Sequence, residues 1–104
     1  MGMIFNKLVR DKIPQIIEMG GKNPVTRILD EGEYIAALEQ KLDEEVQEFH
    51  SDKNIEELAD ILEVVYALTE AKGYTLTQLH ETCAKKREAR GGFKERIFLI
   101  SNDG

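Results

Sequence analysis

Two pairs of acidic side chains recur at the same spacing on neighbouring segments of the sequence, Glu45 with Glu48 and Glu57 with Asp60. At about 100° of rotation per residue, each pair falls on the shoulder of an apolar helical face. A carboxylate beside a hydrophobic core needs a proton, a polar partner or a cation, because burial disfavours its charged form. We therefore expect the two pairs to converge if their helices pack antiparallel across a short turn.

Converging carboxylates offer only oxygen ligands, which hard divalent cations prefer, so Mg²⁺ or Mn²⁺ is the expected occupant. Mg²⁺ usually keeps several waters and shares its coordination with substrate phosphates, so an open site of this kind indicates phosphate chemistry. A solvated helix face is the alternative interpretation, since Glu is almost never fully buried. The repeated spacing on two successive helices favours the metal site, but spacing alone leaves both interpretations open.

Capping residues mark where the helices that position these acids begin. Asp30 with Glu33 forms a capping-box pattern before the second helix, and Thr75 with Gln78 forms another before the fourth. The third helix follows a cluster of possible caps: Ser51, Asp52 and Asn54. The predicted helices cover residues 13–19, 31 to about 49 or 50, 55–72 and 76–90.

Two short apolar segments, 25–29 and 96–100, predict strands. We expect them to pair as a minimal ribbon, because a lone strand leaves its backbone polar groups unsatisfied. The elements together predict an all-α fold in a single domain over residues 1–104, an antiparallel helical bundle with a two-strand β ribbon. Segment 55–68 is apolar around most of its circumference, which implies burial on more than one side. We therefore expect oligomerisation to complete the bundle.

The composition disfavours several classes of partner. The 104-residue chain has a formal net charge of −6, which argues against general affinity for nucleic acid or for an anionic membrane. Its single cysteine, Cys83, permits no internal disulfide, and its apolar neighbours predict a small core residue. No apolar run approaches the length of a membrane span. We expect a cytoplasmic protein.

The acidic motif resembles that of a known family. The residues EEVQE at 44–48 and ELAD at 57–60 resemble the EExxE…ExxD signature of the all-α nucleoside triphosphate pyrophosphohydrolases, the MazG-like superfamily. Further blocks, in the same order, resemble a bacterial and phage branch often labelled phosphoribosyl-ATP pyrophosphohydrolase-like: KLVRDKIP at 7–14, PVTRILD at 24–30, RGGF at 90–93 and RIFL at 96–99.

The resemblance implies a Mg²⁺-dependent helical enzyme that cleaves a nucleoside triphosphate to the monophosphate and pyrophosphate, as a homodimer or homotetramer. It assigns four metal ligands by position: Glu45, Glu48, Glu57 and Asp60. Glu45 and Glu48 are thereby also catalytic, together with Glu44, which completes the motif. Glu44 is expected to contact the ligand residues without binding the metal itself, or to orient or deprotonate the attacking water.

Four basic residues are candidates for binding the phosphates. Lys86 and Arg90 continue an inward stripe of the last helix and would turn it cationic near the acids, although basic residues are also common at a helix C-terminus. Lys7 and Arg10 lie in an N-terminal segment with no evident structural need for several cations. The resemblance makes both possible phosphate or base-side contacts, and a solvated charge run is the alternative.

Three functions remain compatible with the sequence. The leading one is pyrophosphohydrolysis of nucleoside triphosphates, which would sanitise the nucleotide pool. A second keeps the chemistry and changes the substrate to phosphoribosyl-ATP, within histidine synthesis. A third is a non-catalytic helical oligomerisation module that binds a partner protein or a structural cation. Turnover with Mg²⁺ across a panel of nucleotides separates the first two from the third.

Overall fold

The fold is all-helical, as predicted. A computed structural model describes residues 2–104 and contains four α-helices. They are α1 (Ile13–Met19), α2 (Glu31–Asp52), α3 (Ile55–Ala71) and α4 (Leu76–Arg90). The helix ends agree with the capping pattern in the sequence to within two residues or so, because caps are local signals.

The capping box predicted at the start of α2 is present. The Glu33 backbone N–H donates to Asp30 Oδ1 at 2.8 Å, and the Asp30 N–H donates to Glu33 Oε1 at 3.3 Å. The Arg27 guanidinium also donates two hydrogen bonds, of 2.9 and 3.2 Å, to the Glu33 carboxylate. The helix continues past its predicted end to Asp52, and Lys53 then turns the chain with a left-handed φ of 54°.

The next two helices begin at side-chain caps as well. Asn54 caps α3 by accepting a 3.0 Å hydrogen bond from the Glu57 backbone N–H. Thr75 and Gln78 form the predicted capping box of α4, with reciprocal hydrogen bonds of 3.0 and 2.8 Å. Because only Lys53 and Asn54 separate α2 from α3, these two helices form a hairpin.

The small apolar core of the single chain lies in the hairpin of α2 and α3. Leu38 and Val64 are the two buried apolar residues among those described, at 3% and 8% exposure. Within residues 2–104, α4 packs against α3 alone, and α1 packs against no other helix. The radius of gyration is 18.3 Å, whereas a compact chain of this length has about 13 Å. The isolated chain is therefore elongated and thinly packed.

The predicted β ribbon was wrong for the described part of the chain. Residues 25–29 and 96–100 form no strand, and side chains such as Val25 (99% exposed) and Phe98 (88%) lie in the open. Arg96 has a φ of 59°, which departs from extended geometry at the start of the second segment. A two-stranded ribbon without further cover is marginal in water, so strand-like alternation alone does not bring the segments together.

Two apolar features of the sequence, Cys83 and the stripe on α3, are more exposed than core residues. Cys83 is exposed on α4, so its assignment to the core was wrong. The apolar stripe of α3 is only partly covered, with Ile55 at 77%, Leu58 at 46% and Leu62 at 47% exposure. Val64, the buried residue of α3, lies on the opposite side of the helix from this stripe, and α3 packs against α2. The chain by itself thus leaves apolar surface on α3 without cover, as the circumference of that helix predicts.

The Arg27–Glu33 pair leads to a prediction about acid stability. Hydrogen bonds from Arg27 and from the Asp30 N–H lower the pKa of Glu33 from near 4.5 to about 2. A lowered carboxylate pKa stabilises the fold above its unfolded value, and that stabilisation is lost as pH falls from about 4.5 towards 2. We expect Arg27→Gln to raise the pH at the midpoint of acid unfolding. Circular dichroism recorded from about pH 6 to pH 2 measures that midpoint. Coincident acid profiles for the variant and the wild type would contradict this role of the pair.

None of the helices within residues 2–104 combines the length and the apolar character that crossing a lipid bilayer requires.

Candidate metal centre

The tight turn between α2 and α3 places the two acidic pairs side by side. Glu45 and Glu48 lie in the last two turns of α2, and Glu57 and Asp60 lie in the first two turns of α3. A hairpin with a two-residue connection brings the end of one helix against the start of the next. The convergence expected from the sequence is therefore a direct product of the Lys53–Asn54 turn.

The acids form two groups that share one member. Carboxylate oxygens of Glu45, Glu57 and Asp60 lie within 4.8 Å of one another, and all three side chains are half-buried. Oxygens of Glu48, Asp52 and Glu57 form a second group with the same limit, in which Glu48 and Asp52 are exposed. The structure thus brings all four predicted ligands to one end of the hairpin, around Glu57.

The pKa of Glu57 reports the crowding of these acids. Burial raises its pKa above the ordinary value, and the negative charges of Asp52, Asp60, Glu48 and Glu45 raise it further, in that order. A raised carboxylate pKa destabilises the fold as pH rises through it, because the folded state binds the proton more tightly. A cation bound among these oxygens would reverse that effect.

Basic side chains already contact two members of the half-buried group. Arg10 Nη2 donates to Asp60 Oδ1 across 50 residues of sequence. Lys41 Nζ lies 3.4 Å from Glu45 Oε1 and 3.6 Å from Glu44 Oε2, and only 19% of its side chain is exposed. Part of the negative charge is therefore balanced by the chain itself.

A cavity of about 410 Å³ opens beside the half-buried acids. The N-terminal segment, α2 and α3 line it, and its charged lining comprises three basic side chains and four acidic ones: Arg10, Lys12, Lys41, Asp11, Glu45, Asp60 and Glu63. Acids and cations thus face one space, which suits a ligand that combines a metal ion with phosphate oxygens.

A second depression of about 430 Å³ runs along α2, and its lining includes Lys7, Glu44 and Glu48. Lys7 therefore lies near the acidic motif, as Arg10 does on the cavity side. Lys86 and Arg90 are exposed on α4. They line neither of these two spaces, and α4 contacts only α3 among the described helices.

Two residues of the centre were missed from the sequence. Asp52 was interpreted as a possible helix cap, although its position four residues after Glu48 places it on the same helical face. Lys41 carries a similar signal, since it lies three and four residues before Glu44 and Glu45. Because α2 extends to Asp52, this residue lies on the same helix as Glu48, and the four-residue spacing then places the two side chains together.

The residues fit a hard divalent cation. All the donors are carboxylate oxygens, which Mg²⁺ and Mn²⁺ prefer. Neighbouring ligands of an octahedral Mg²⁺ are about 3 Å apart and opposite ligands about 4.2 Å apart, whereas the oxygens of Glu45, Glu57 and Asp60 lie within 4.8 Å of one another. The three carboxylates would therefore draw closer together on binding one ion.

An uncharacterized protein of Mycolicibacterium smegmatis is 53% identical to this chain over 45 residues. The matched stretch covers 43% of this chain and 46% of the relative, so the chain spans less than half of that relative's length. No protein-family model matches the chain, and no solved structure does.

Proposed function

We propose that this chain is a MazG-like pyrophosphohydrolase that cleaves a nucleoside triphosphate to the monophosphate and pyrophosphate with Mg²⁺. The observation that carries the proposal is the convergence of Glu45, Glu57 and Asp60. Two of these acids, Glu45 and Asp60, line a cavity that Arg10 and Lys41 line as well. Phosphoryl chemistry needs a divalent cation next to positively charged groups that bind phosphate oxygens. A solvated acidic face has no need of a shared cavity.

The acids would divide the work by position. Glu45, Glu57 and Asp60 would hold the ion, and Glu48 lies near the same centre through its proximity to Glu57. A divalent cation bound there would supply stabilisation of negative charge on the phosphate and would lower the pKa of a nearby water. Glu44 adjoins Glu45 on α2, is more exposed than it and lies 3.6 Å from Lys41 Nζ, so its carboxylate would orient or deprotonate the attacking water from a position beside that lysine.

The N-terminal cations would bind the triphosphate. Arg10 lines the cavity beside Asp60, and Lys7 lines the depression beside Glu44 and Glu48. Lys86 and Arg90 would contribute from the α4 of a second copy or after a movement of α4, since that helix contacts only α3 within the described chain. The exposed apolar stripe on α3 supports a homo-oligomeric enzyme.

We expect activity to require a divalent cation, with Mg²⁺ or Mn²⁺ supporting it and Ca²⁺ supporting it poorly. Compact octahedral coordination suits the first two ions, whereas Ca²⁺ takes more ligands at longer distances. The measurement is pyrophosphate release in each chloride salt, with excess EDTA as the control. Full turnover in EDTA would contradict the prediction.

The experiment that tests the function measures pyrophosphate release across ribo- and deoxyribonucleoside triphosphates, damaged nucleotides and phosphoribosyl-ATP. Selective release from one triphosphate supports the proposal and names the base. Release from phosphoribosyl-ATP alone assigns the histidine-synthesis reaction instead. No release from any of them in Mg²⁺ or Mn²⁺ would leave the non-catalytic oligomerisation module.

A further inference from the structure

Arg10 is a basic residue of the N-terminal segment that contacts one of the half-buried acids. Its side chain is 55% exposed, yet its guanidinium reaches 50 residues along the chain to Asp60. The described part of the N-terminal segment that carries it, residues 2–12, forms no helix before α1. Asp60 is at the same time one of the three half-buried acids whose oxygens converge. One carboxylate therefore serves both an internal cation and the candidate metal centre.

We propose that Arg10 exchanges partners, neutralising Asp60 when the metal is absent and binding a phosphate group when a divalent cation occupies the acids. This inference rests on the proposed metal site. A divalent cation and a guanidinium on the same carboxylate repel each other, so binding of one weakens the hold of the other. The Arg10 side chain can turn from Asp60 into the cavity, because Arg10 already lines that cavity together with Lys12 and Lys41.

The exchange makes metal and phosphate binding favour each other. A metal ion at Asp60 frees the guanidinium, whose planar fork suits two phosphate oxygens. A phosphate that holds Arg10 in turn leaves Asp60 to the metal, as linkage requires. Lys41 is placed differently, since it contacts Glu44 and Glu45 from the same helix and is mostly covered. Arg10 is thus the cation that can leave.

The test compares Arg10→Gln with a matched control, Arg27→Gln. Each variant loses one arginine and one surface ion pair, but Arg27 pairs with Glu33, about 18 Å along α2 from Glu45. Calorimetry measures the affinity for Mg²⁺ alone, and then for inorganic pyrophosphate at saturating Mg²⁺. Both titrations are made at neutral pH, where Glu33 is ionised with or without Arg27.

We expect Arg10→Gln to bind Mg²⁺ roughly two- to fivefold more tightly than the control, because a competing exposed ion pair is gone. We expect the same variant to bind pyrophosphate roughly tenfold more weakly, because a charge-assisted hydrogen bond is lost. Opposite signs for the two ligands are what partner exchange requires. A general loss of structure would weaken both.

An unchanged or weaker Mg²⁺ affinity relative to Arg27→Gln would overturn the exchange, since Arg10 would then hold Asp60 in place for the metal. Unchanged pyrophosphate affinity would overturn it as well. If the variant fails to fold, ¹⁵N NMR of the wild-type arginine side chains decides. Mg²⁺ should shift the Arg10 Nε signal and leave that of Arg27, and an unmoved Arg10 signal would contradict the proposal.

The outcome is separable from that of the proposed function. Opposite shifts in the two affinities without turnover of any nucleotide would keep the exchange and remove the enzyme. Turnover without those shifts would keep the enzyme and remove the exchange. A wild-type protein that binds no Mg²⁺ would remove the exchange directly.

Discussion

Asp60→Asn and Glu48→Gln should each lower pyrophosphate release at least about 100-fold. Loss of a group that only hydrogen-bonds to a metal ligand already lowers metal affinity or activity about 10–100-fold. Each change preserves side-chain volume and removes one charged oxygen, so metal affinity and turnover should fall together. Asp60 belongs to the half-buried group with Glu45 and Glu57, so its loss should have the larger effect of the two. The measurement is pyrophosphate release in saturating Mg²⁺.

The same variants should melt in EDTA within a few degrees of the wild type or above it. Asp60→Asn loses the exposed ion pair with Arg10, which is worth at most about 1 kcal/mol. Both changes also remove a charge from the acids that raise the pKa of Glu57. Relief of that repulsion offsets the lost pair.

Glu56→Gln supplies a matched control for the charge change. Glu56 is exposed in the first turn of α3 and belongs to neither acidic group. Its variant should retain near-native turnover. If Asp60→Asn and Glu48→Gln instead melt several degrees lower and keep near-native turnover, the acids are structural and the metal site is wrong, and the enzyme assignment falls with it.

Leu62→Glu should convert an oligomer into a monomer. Leu62 is 47% exposed in the single chain and lies beside Leu58 and Ile55 on the uncovered stripe of α3. A second copy that buries this stripe would desolvate the new carboxylate, which is costly without a partner charge. In a monomer the same side chain would simply remain in water. Sedimentation equilibrium at micromolar concentration measures the mass of both proteins.

The oligomer also bears on stability, because the core of one chain is so thin. Leu38 and Val64 alone among the described residues are buried apolar side chains, and burial of apolar area is the main source of folding free energy. Loss of the interface should therefore lower the melting temperature of Leu62→Glu. Leu62→Met keeps the apolar volume and should stay oligomeric. A wild-type chain that is monomeric and stably folded at micromolar concentration would contradict the prediction.

The helices of this protein were largely determined by signals within a few residues of each other. Asp30 accepts from the Glu33 N–H three positions away, and Thr75 does the same with Gln78. Such caps satisfy backbone groups locally and do not depend on the rest of the fold. The i, i+3 acids belong to the same class of signal, since helix geometry alone makes them neighbours.

Contacts between distant segments were decided only by the tertiary structure. The strands at 25–29 and 96–100 were predicted from local apolar and β-branched residues, but strand pairing needs a partner and a covered face, and the described chain provides neither. Arg10 meets Asp60 across 50 residues, and no local spacing announces that contact.

The candidate metal centre depends both on local spacing within each helix and on the tertiary packing of the two helices. The pairs Glu45 with Glu48 and Glu57 with Asp60 are visible in the sequence, because each i, i+3 spacing lies within one helix, and the family resemblance predicts that they are ligands. Their grouping around Glu57 depends on the turn after Asp52. Local hydrogen bonds decide which residues are helical, whereas the closeness of two charges on different helices depends on how the chain folds back and on the side chains that pack between them.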